Sequence, residues 1–373
     1  MIWMKGRIVN PKSKLITYLC QTQLDCFARM AFGWLHPEQV YRDHWPMEVL
    51  GDTLTRCLTG ECKRLIVNMP PRSLKSFYAS VALPAWALAR MPELKIMCVA
   101  GDPGLAEDHH RLSLKLMTHP SYRALFPHVR VSESNRTIRL GHGGSRSAHI
   151  ASREGGLTGR GADIIIVDDP LGASYADDDI RRKETNLWYD RNVYQRLNNK
   201  KKGVIIVVMQ RLHVDDLTGH LLKQDGWTHL RFPAIATEDE SYVLSDGRKV
   251  GRSKRDALHP ALENWDQLLE AMHGIGAKPF MAQYQQQPYL PGEGEGLPVQ
   301  PRFFESIEAD KPKILNLIMW VVGAPQEERV EAELFNGADY TPFIGSGLRL
   351  ITDNNTKNNE QSSRPSPCED VED

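Results

Sequence analysis

The sequence is marked first by what it does not contain. Its formal net charge is −1 at pH 7 over 373 residues, so no global basic field attracts nucleic acid. No apolar run approaches the ~20 residues that cross a membrane, and no apolar segment follows the basic start Met1–Lys14. We therefore expect neither a membrane span nor a signal peptide. The six cysteines form no Cys-x-x-Cys pair and have no histidine at zinc spacing, which favours free thiols in a reducing cytoplasm.

The composition is that of an ordinary globular protein, with 41% hydrophobic and 25% charged residues. The length suits about two domains of roughly 100–200 residues each. Nucleic-acid binding would have to use local basic patches, and two are present: Lys200-Lys201-Lys202, and the group Arg252, Lys254 and Arg255. A solvated surface without a partner explains either patch equally well.

Apolar runs and amphipathic patterns alternate along the central part of the chain. Residues 15–60 have the three- and four-residue spacing of helices. Four short apolar runs predict buried strands, and these are Arg64–Met69, Leu94–Ala100, Asp163–Asp168 and Gly203–Gln210. Helices are predicted at 75–90, 104–118, 177–197, 214–224 and 263–287, a hairpin around the glycine turn at 141–144, and a polar surface excursion at 237–255. The alternation predicts an α/β fold with a mostly parallel sheet flanked by helices.

The segment Met69-Pro70-Pro71-Arg72-Ser73-Leu74-Lys75-Ser76 lies between a predicted strand and a predicted helix, where a phosphate-binding loop belongs. The helix start would present backbone N–H groups and a favourable dipole to an anion. Lys75 would reach the β- and γ-phosphates of a nucleotide, and Ser76 would hold Mg²⁺ through its hydroxyl. The consensus has glycine where this chain has Met69 and Leu74, so only the Lys-Ser pair matches. An ordinary surface Lys-Ser pair is the alternative.

A second motif ends the strand Asp163–Asp168, where Asp168, Asp169 and Pro170 follow Lys75 by about 90 residues. Carboxylates at the carboxyl end of a buried parallel strand lie where ligands bind in open α/β sheets. Asp168 would hold Mg²⁺ through water, and Asp169 would orient or deprotonate the attacking water. A strand end followed by an Asp-Pro turn is the alternative.

A third motif is the glycine-rich loop before this strand, with four glycines in residues 155–161 and one arginine, Arg160. Glycines allow the loop to approach a ligand closely. Arg160 would neutralise transition-state charge on the γ-phosphate, most simply that of a neighbouring subunit. A pairing of Arg160 with a nearby acid explains the same pattern.

Two further segments complete the set of candidates. The strand Gly203–Gln210 ends in Gln210 and Arg211, which would sense the γ-phosphate and relay hydrolysis into motion; Asp215 and Asp216 just beyond it can equally be helix N-terminal charges. The segment 44–48 would cap an adenine ring, and a helix start around a buried tryptophan explains it as well.

Together these segments resemble the ATPase domain of phage terminase large subunits, over about residues 40–304. The resemblance is carried by the stretches PPRSLKS, GGLTGRGADIIIVDDP, VVMQRLHVDDLTGHLL and FMAQYQQQP, in that order. It implies a P-loop ATPase fold with ATP and Mg²⁺ as cofactors. By the same resemblance, Ser76 and Asp168 are metal residues. The implied catalytic residues are Asp169, Arg160, Arg72, Gln210 and Arg211. The implied nucleotide-binding residues are Pro71, Arg72, Ser73, Leu74, Lys75, Ser76, Trp45 and Glu48.

The resemblance also implies partners and a cellular setting. Such a motor would translocate double-stranded DNA into a procapsid through the portal protein, as a homo-oligomeric ring with a small terminase subunit, without a membrane, in the bacterial host cytoplasm. Two alternatives stay open: an inactive prophage remnant that binds nucleotide, and another helicase-like P-loop ATPase. The second would need helicase motifs after residue 240, and the sequence has none there.

The domain plan follows from these boundaries. We predict an N-terminal helical segment at 1–44, the ATPase domain at 45–287, a linker at 288–304 and an aberrant remnant at 305–373, disordered from about residue 353. The family continues into a ribonuclease-H-like nuclease whose first strand carries an aspartate. The strand-like stretch Ile314–Val322 has no acid, so we expect no nuclease activity.

Overall fold

The computed structural model describes residues 14–150, Leu157, 161–290, 332–334 and 342–344. The chain forms two units, Met1–Gln300 and Pro301–Asp373. In the second unit, strands at Ala332–Leu334 and Pro342–Ile344 pair antiparallel. The predicted linker, apart from 288–290, and the predicted disordered tail lie outside the described residues, so those boundaries stay predictions. No helix within the described ranges is long and apolar enough to span a membrane.

The amino-terminal region is helical, as predicted, but it is interrupted. Helices α1 (Lys14–Thr22), α2 (Leu24–Leu35) and α3 (Trp45–Thr59) are separated by Gln23 and by an extended stretch at 36–44. The second break follows from Pro37, because a proline disfavours helical backbone at the residue before it, and His36 has φ −130° and ψ 64°. Helix α3 ends at Gly60, whose φ of 83° is the left-handed conformation that glycine adopts at low cost.

Among the described residues, the central sheet has eight strands, in the order β3-β4-β5-β2-β6-β7-β1-β8. Their bounds are β1 Arg64–Asn68, β2 Lys95–Ala100, β3 Val131–Ser134, β4 Thr137–Leu140, β5 Ser145–Ile150, β6 Ile164–Asp168, β7 Val204–Met209 and β8 Thr228–Arg231. Strands β5, β2, β6, β7, β1 and β8 run parallel to one another, while β3 and β4 add an antiparallel edge beside β5. The predicted α/β fold with a mostly parallel sheet is therefore confirmed.

Both faces of the sheet are covered, which explains why its strands are uninterrupted apolar runs. Alternate residues of a strand point to opposite faces: Leu65 and Val67 belong to one apolar core, and Ile66 to the other. Helices α4 (Leu83–Arg90), α5 (Pro103–Thr118) and α6 (Pro120–Leu125) complete the first core with α1–α3. Helices α7 (Asp179–Trp188) and α8 (Leu217–Leu221) cover the second.

Four predicted helices differ from the structure. The helix predicted at 75–90 contains a π-helical stretch, Phe77–Ala82, before α4, and the one at 177–197 continues past α7 as π and 3-10 turns. The helix predicted at 214–224 is only α8, because the Asp216 side chain caps its start by accepting from Gly219 N at 2.8 Å. The one at 263–287 is split into α9 (Trp265–Ile275) and α10 (Ala277–Gln283) at Gly276, whose φ is 88°.

The polar excursion at 237–255 is not irregular. It forms a hairpin of β9 (Glu240–Val243) and β10 (Lys249–Arg252). Arg252 holds the hairpin to the domain, since its guanidinium donates to both carboxylate oxygens of Glu240, at 3.0 and 2.9 Å, and to Pro233 O at 2.6 Å. The polar and charged residues of 237–255 thus belong to a two-stranded hairpin with an exposed surface.

Candidate active site

Three neighbouring strands, β6, β7 and β1, bring the sequence motifs to one edge of the sheet. These strands are parallel, so their carboxyl ends meet at that edge, where ligands bind in open α/β sheets. The loop from Pro70 to Ser76 follows β1, Asp168 and Asp169 end β6, and Gln210 follows β7. We call this the catalytic edge of the sheet.

The loop between β1 and the following helix has an unusual backbone. Arg72 has a φ of 59° and Leu74 a φ of 63°, the left-handed region in which a side chain costs about 1–2 kcal/mol. At position 74, where the consensus has glycine, leucine thus has a backbone conformation that glycine adopts at low cost. Strained backbone of this kind concentrates at ligand sites.

Lys75 is the positive charge of the site. Its side chain is 8% exposed, and its Nζ lies 3.1 Å from Oδ2 of Asp169. The other oxygen of Asp169 accepts from the backbone N–H of Gln210 at 3.2 Å. Asp169 itself has a φ of 40°. The carboxylate is thus fixed between the loop lysine and the end of β7, which is where a group that orients water beside a phosphate has to stand.

Asp168 has a different environment, although it is the adjacent residue. Ser76 Oγ donates to its Oδ1 at 2.9 Å, Ser80 Oγ donates to its Oδ2 at 2.6 Å, and His109 Nδ1 lies 3.6 Å from Oδ2. Asp168 is 1% exposed. Burial, and then the charge of Asp169, raise its pKa to about 6. Adjacent carboxylates with such different surroundings are suited to different tasks.

Sequence reasoning missed the residues behind Asp168. Ser80 lies four residues after Ser76, one helical turn away, and this spacing is the only signal that the sequence gives. Arg146 of β5 is fully buried, and its Nη2 donates to Ser80 O at 3.1 Å. Its Nη1 lies 3.3 Å from Nδ1 of His110. A buried arginine thus supports the helix that carries Ser80.

The donor set fits a nucleotide and a divalent cation. Ser73 Oγ and Gln210 Oε1 are buried and have no hydrogen-bond partner among the described residues, which is costly unless a ligand supplies one. Ser76 and Asp168 offer a hydroxyl and a carboxylate 2.9 Å apart, the oxygen ligands that Mg²⁺ prefers, with nucleotide phosphates and water completing its shell. The described ranges contain no group of three or more His, Cys, Asp and Glu side chains arranged for a metal, and a cation shared with phosphates needs none.

The remaining loop residues border a narrow cleft of about 20 Å³ beside the phosphate loop. Pro71 and Ser73 line it together with His44 and His259, whose rings stack at 4.1 Å. Arg72 is exposed. Burial raises the pKa of Glu263, and the charge of Arg72 partly opposes this increase. The two side chains therefore lie within electrostatic range of each other.

Arg211 is engaged in the structure of the following helix. Its Nε donates to Asp216 at 2.9 Å, its Nη2 to His213 O at 3.1 Å, and its backbone N–H to Gln286 Oε1 at 2.9 Å. The interpretation of Asp216 as a helix N-terminal charge is confirmed by its capping of α8. A coupling role for Gln210 and Arg211 stays a prediction.

The adenine candidates have partners of their own. Trp45 opens α3 and packs against Tyr242 and Phe232, with ring centroids 5.5 and 5.7 Å apart. Glu48 accepts from Arg248 Nη1 at 2.6 Å. These contacts match the alternative of a helix start around a packed tryptophan, and an adenine-binding role stays a prediction. Arg160 lies outside the described residues, so its role as an inter-subunit arginine is also still a prediction.

Comparison with known proteins gives structural neighbours alone. No protein-family model matches the sequence, and no curated protein matches it. The chain is similar to the ATPase domain of the Thermus phage P74-26 large terminase, at 12% identity over 69% of this chain and 97% of that one, with a TM-score of 0.45. It is also similar to the large terminase of bacteriophage HK97, at 15% identity over 69% of this chain and 54% of that one, with a TM-score of 0.41.

A large terminase of a thermophilic bacteriophage in complex with ATP-gamma-S is also similar, at 13% identity, over 48% of this chain and 44% of that one, with a TM-score of 0.32. The chain thus spans about half of the HK97 large terminase and less than half of the large terminase in the ATP-gamma-S complex. The residues of the catalytic edge are therefore the basis on which a function is inferred.

Proposed function

We propose that this chain is the ATP-hydrolysing motor of viral double-stranded DNA packaging, a terminase large subunit acting through its ATPase domain. The observation that carries the proposal is the pairing at the catalytic edge. Lys75 lies 3.1 Å from Asp169 while Ser76 donates to Asp168, on a loop with left-handed backbone at Arg72 and Leu74. The packaging role is supported by the ordered sequence motifs that resemble the terminase family.

Each side chain has a chemical task in this proposal. Lys75 binds the β- and γ-phosphates and stabilises the charge that develops on the transferred group. Asp169 orients the attacking water and accepts its proton. Ser76 and Asp168 would hold Mg²⁺, which neutralises phosphate charge when it is bound. Ser73 Oγ, which has no partner among the described residues, donates to a phosphate oxygen.

The two alternatives predict different results with the purified chain. A packaging motor hydrolyses ATP only with Mg²⁺ and leaves a forked duplex wound. A helicase-like ATPase would unwind the fork. A remnant would bind a fluorescent ATP analogue and show no turnover above that of Lys75→Ala. The assay is phosphate release, measured with and without blunt duplex DNA and with the Lys75→Ala chain as background.

The remaining partners belong to the same proposal: the portal protein, the procapsid, a small terminase subunit and a ring of identical chains. Arg160→Ala should lose activity alone, and mixing it with Lys75→Ala should restore part of it, because an intact Arg160 can then face an intact Lys75 across a subunit boundary. Assembly is checked in the same mixture by sedimentation. A mixture that assembles and stays inactive would place Arg160 within its own subunit.

A further inference from the structure

The opposite edge of the sheet, where the parallel strands begin, carries a cluster of cations. Lys63 and Arg64 lie at the start of β1, and Lys200, Lys201 and Lys202 lead into β7. These strands pair directly, with Arg64 opposite Ile205 and Ile205 N donating to Lys63 O at 2.9 Å. The two groups of cations are therefore neighbours in space, and we call them the basic edge.

An aromatic ring joins the two groups. The guanidinium carbon of Arg64 lies 5.6 Å from the centroid of the Tyr194 ring, and Lys200 Nζ lies 5.2 Å from the same centroid. Tyr194 is 38% exposed. Arg64 Nη1 also donates to Gly203 O at 2.8 Å. Cation–π contacts hold both side chains in place without neutralising them.

The lysine loop has a defined backbone. Asn199 Oδ1 accepts from Lys201 N at 2.9 Å and from Lys202 N at 3.1 Å, so the turn is fixed by an amide and not by a carboxylate. An acid at this edge, Asp163, is engaged by Asn198 Nδ2 and by Lys95 N, both at 2.9 Å. The loop thus presents three exposed ammonium groups on a rigid turn.

No carboxylate in residues 14–150 or 161–290 forms an ion pair with any of the five cations. Like charges held this close repel one another, and a bound polyanion relieves the repulsion. The second basic patch differs: Arg252 is 3% exposed and paired with Glu240. Arg252 therefore holds the β9–β10 hairpin, which leaves Lys254 and Arg255 as the exposed cations of the second patch.

We propose that the basic edge binds the phosphate backbone of duplex DNA while the catalytic edge binds ATP. Lysine and arginine contacts to phosphates are sequence-independent, as a translocating motor requires. Cations at the starts of two adjacent strands, about 4.8 Å apart, can meet successive phosphates. This inference rests on the proposed function for its choice of duplex DNA, but it concerns residues that take no part in hydrolysis.

The test compares two variants of equal charge change in the full chain. One carries Lys200→Ala, Lys201→Ala and Lys202→Ala; the control carries Lys249→Ala, Lys254→Ala and Arg255→Ala, which are also exposed. Binding to a fluorescent blunt duplex is measured by anisotropy between 50 and 200 mM salt. We expect the first variant to bind about 10- to 100-fold more weakly and to lose up to about 3 from the slope of log K against log salt, at about 0.9 per lost phosphate contact.

Three results would each contradict DNA binding at the basic edge: equal losses of affinity in both variants, no loss of affinity in the first variant, or no duplex binding by the wild-type chain. Stronger binding to single-stranded DNA or RNA than to duplex would contradict the choice of duplex DNA as the ligand. ATP hydrolysis without DNA is measured on the same samples and should be unchanged in both variants. If the wild-type chain hydrolysed ATP but bound no duplex, the proposed ATPase function would stand and the proposed DNA-binding site would fail. If it bound duplex at the basic edge but did not hydrolyse ATP, the DNA-binding site would stand and the ATPase function would fail.

Discussion

The two ends of one sheet are built differently. At the catalytic edge, charged side chains are buried and matched: Lys75 pairs with Asp169, and Asp168 accepts from two serines. The backbone there is left-handed at three non-glycine residues, Arg72, Leu74 and Asp169. At the basic edge the cations are exposed or half-buried, and no described carboxylate pairs with Lys200, Lys201 or Lys202.

The difference follows from the size of the ligand that each edge can take. Buried, strained and mutually paired groups fix a few atoms within tenths of an ångström, which suits a small anion and its metal. Exposed cations on an ordered loop give a broad field with little geometric demand, which suits an extended polyanion. The strands between them are rigid apolar β-structure, so changes at one edge should leave the other intact.

The strongest test of this contrast is the same chemical change at each edge. Lys75→Ala should lower ATP turnover by at least about 100-fold, because it removes the cation that stabilises transition-state charge. Lys201→Ala should leave turnover without DNA within twofold of wild type. Phosphate release is measured on folded protein, verified by thermal unfolding. Turnover of the wild type no higher than that of Lys75→Ala would remove the ATPase assignment.

The second test separates the two carboxylates at the end of β6. Asp169→Asn should lower turnover by about 100-fold while nucleotide affinity stays close to wild type, because Asp168 still serves the metal. Asp168→Asn should instead weaken Mg²⁺-dependent nucleotide binding. Calorimetry with a non-hydrolysable ATP analogue measures both. If Asp169→Asn lost affinity as strongly as rate, the roles of the two acids would be reversed.

The sequence was sufficient for the four central strands β1, β2, β6 and β7, for the hairpin of β4 and β5, and for most of the catalytic edge, but not for β3 and β8. Long apolar runs predict buried parallel strands, and acids directly after such a run must lie at its carboxyl end, so Asp168 and Asp169 could be placed without a structure. Lys75 followed from its position between strand and helix. These two placements together predict that Lys75 and Asp169 lie close to each other, and the structure has them in contact.

Other features depend on packing that no local pattern encodes. The π-helical stretch at 77–82 and the role of Ser80 arise where the helix meets Asp168 and Arg146 across the core. The pairing of Arg211 with Asp216, five residues later, is another contact that the spacing alone did not predict. The coupling role of Arg211 stays a prediction.

The surroundings of His229 in β8 predict that the stability of the chain depends on pH. His229 Nε2 lies 2.7 Å from Asn68 Oδ1, and burial, then Arg211 and Arg231, lower the pKa of His229 to about 4. In the unfolded chain the group has its ordinary pKa of about 6.5. The unfolded state therefore gains a proton first, and the free energy of unfolding should fall as pH drops from 6.5 to 4, by at most about 3 kcal/mol from this residue.

The variant His229→Gln keeps a donor for Asn68 but cannot titrate. Its free energy of unfolding, from urea titrations between pH 7 and pH 4.5, should therefore fall less steeply than that of the wild type. His142→Gln, an exposed substitution in the β4–β5 turn, is the control and should follow the wild type. Parallel curves for all three proteins would show that His229 is not a source of acid sensitivity.

The smallest expected effect concerns Ser80, which donates to Asp168 but forms no hydrogen bond with Lys75 or Asp169. Ser80→Ala removes the 2.6 Å bond to Asp168 Oδ2, and a hydrogen bond to a charged group contributes about 1.5–3 kcal/mol, part of which Ser76 and His109 still supply. We expect the Mg²⁺ concentration for half-maximal turnover to rise about 3- to 10-fold, at 1.4 kcal/mol per tenfold, with turnover at saturating Mg²⁺ little changed.

Ser80→Thr should restore the wild-type value, because it returns the hydroxyl. Thr53→Ala, which removes a buried hydroxyl bonded to Val49 O inside α3, should leave the Mg²⁺ dependence unchanged. A lowered melting temperature with an unaltered Mg²⁺ dependence would make Ser80 a packing residue, and the orientation of Asp168 would then depend on Ser76 and His109.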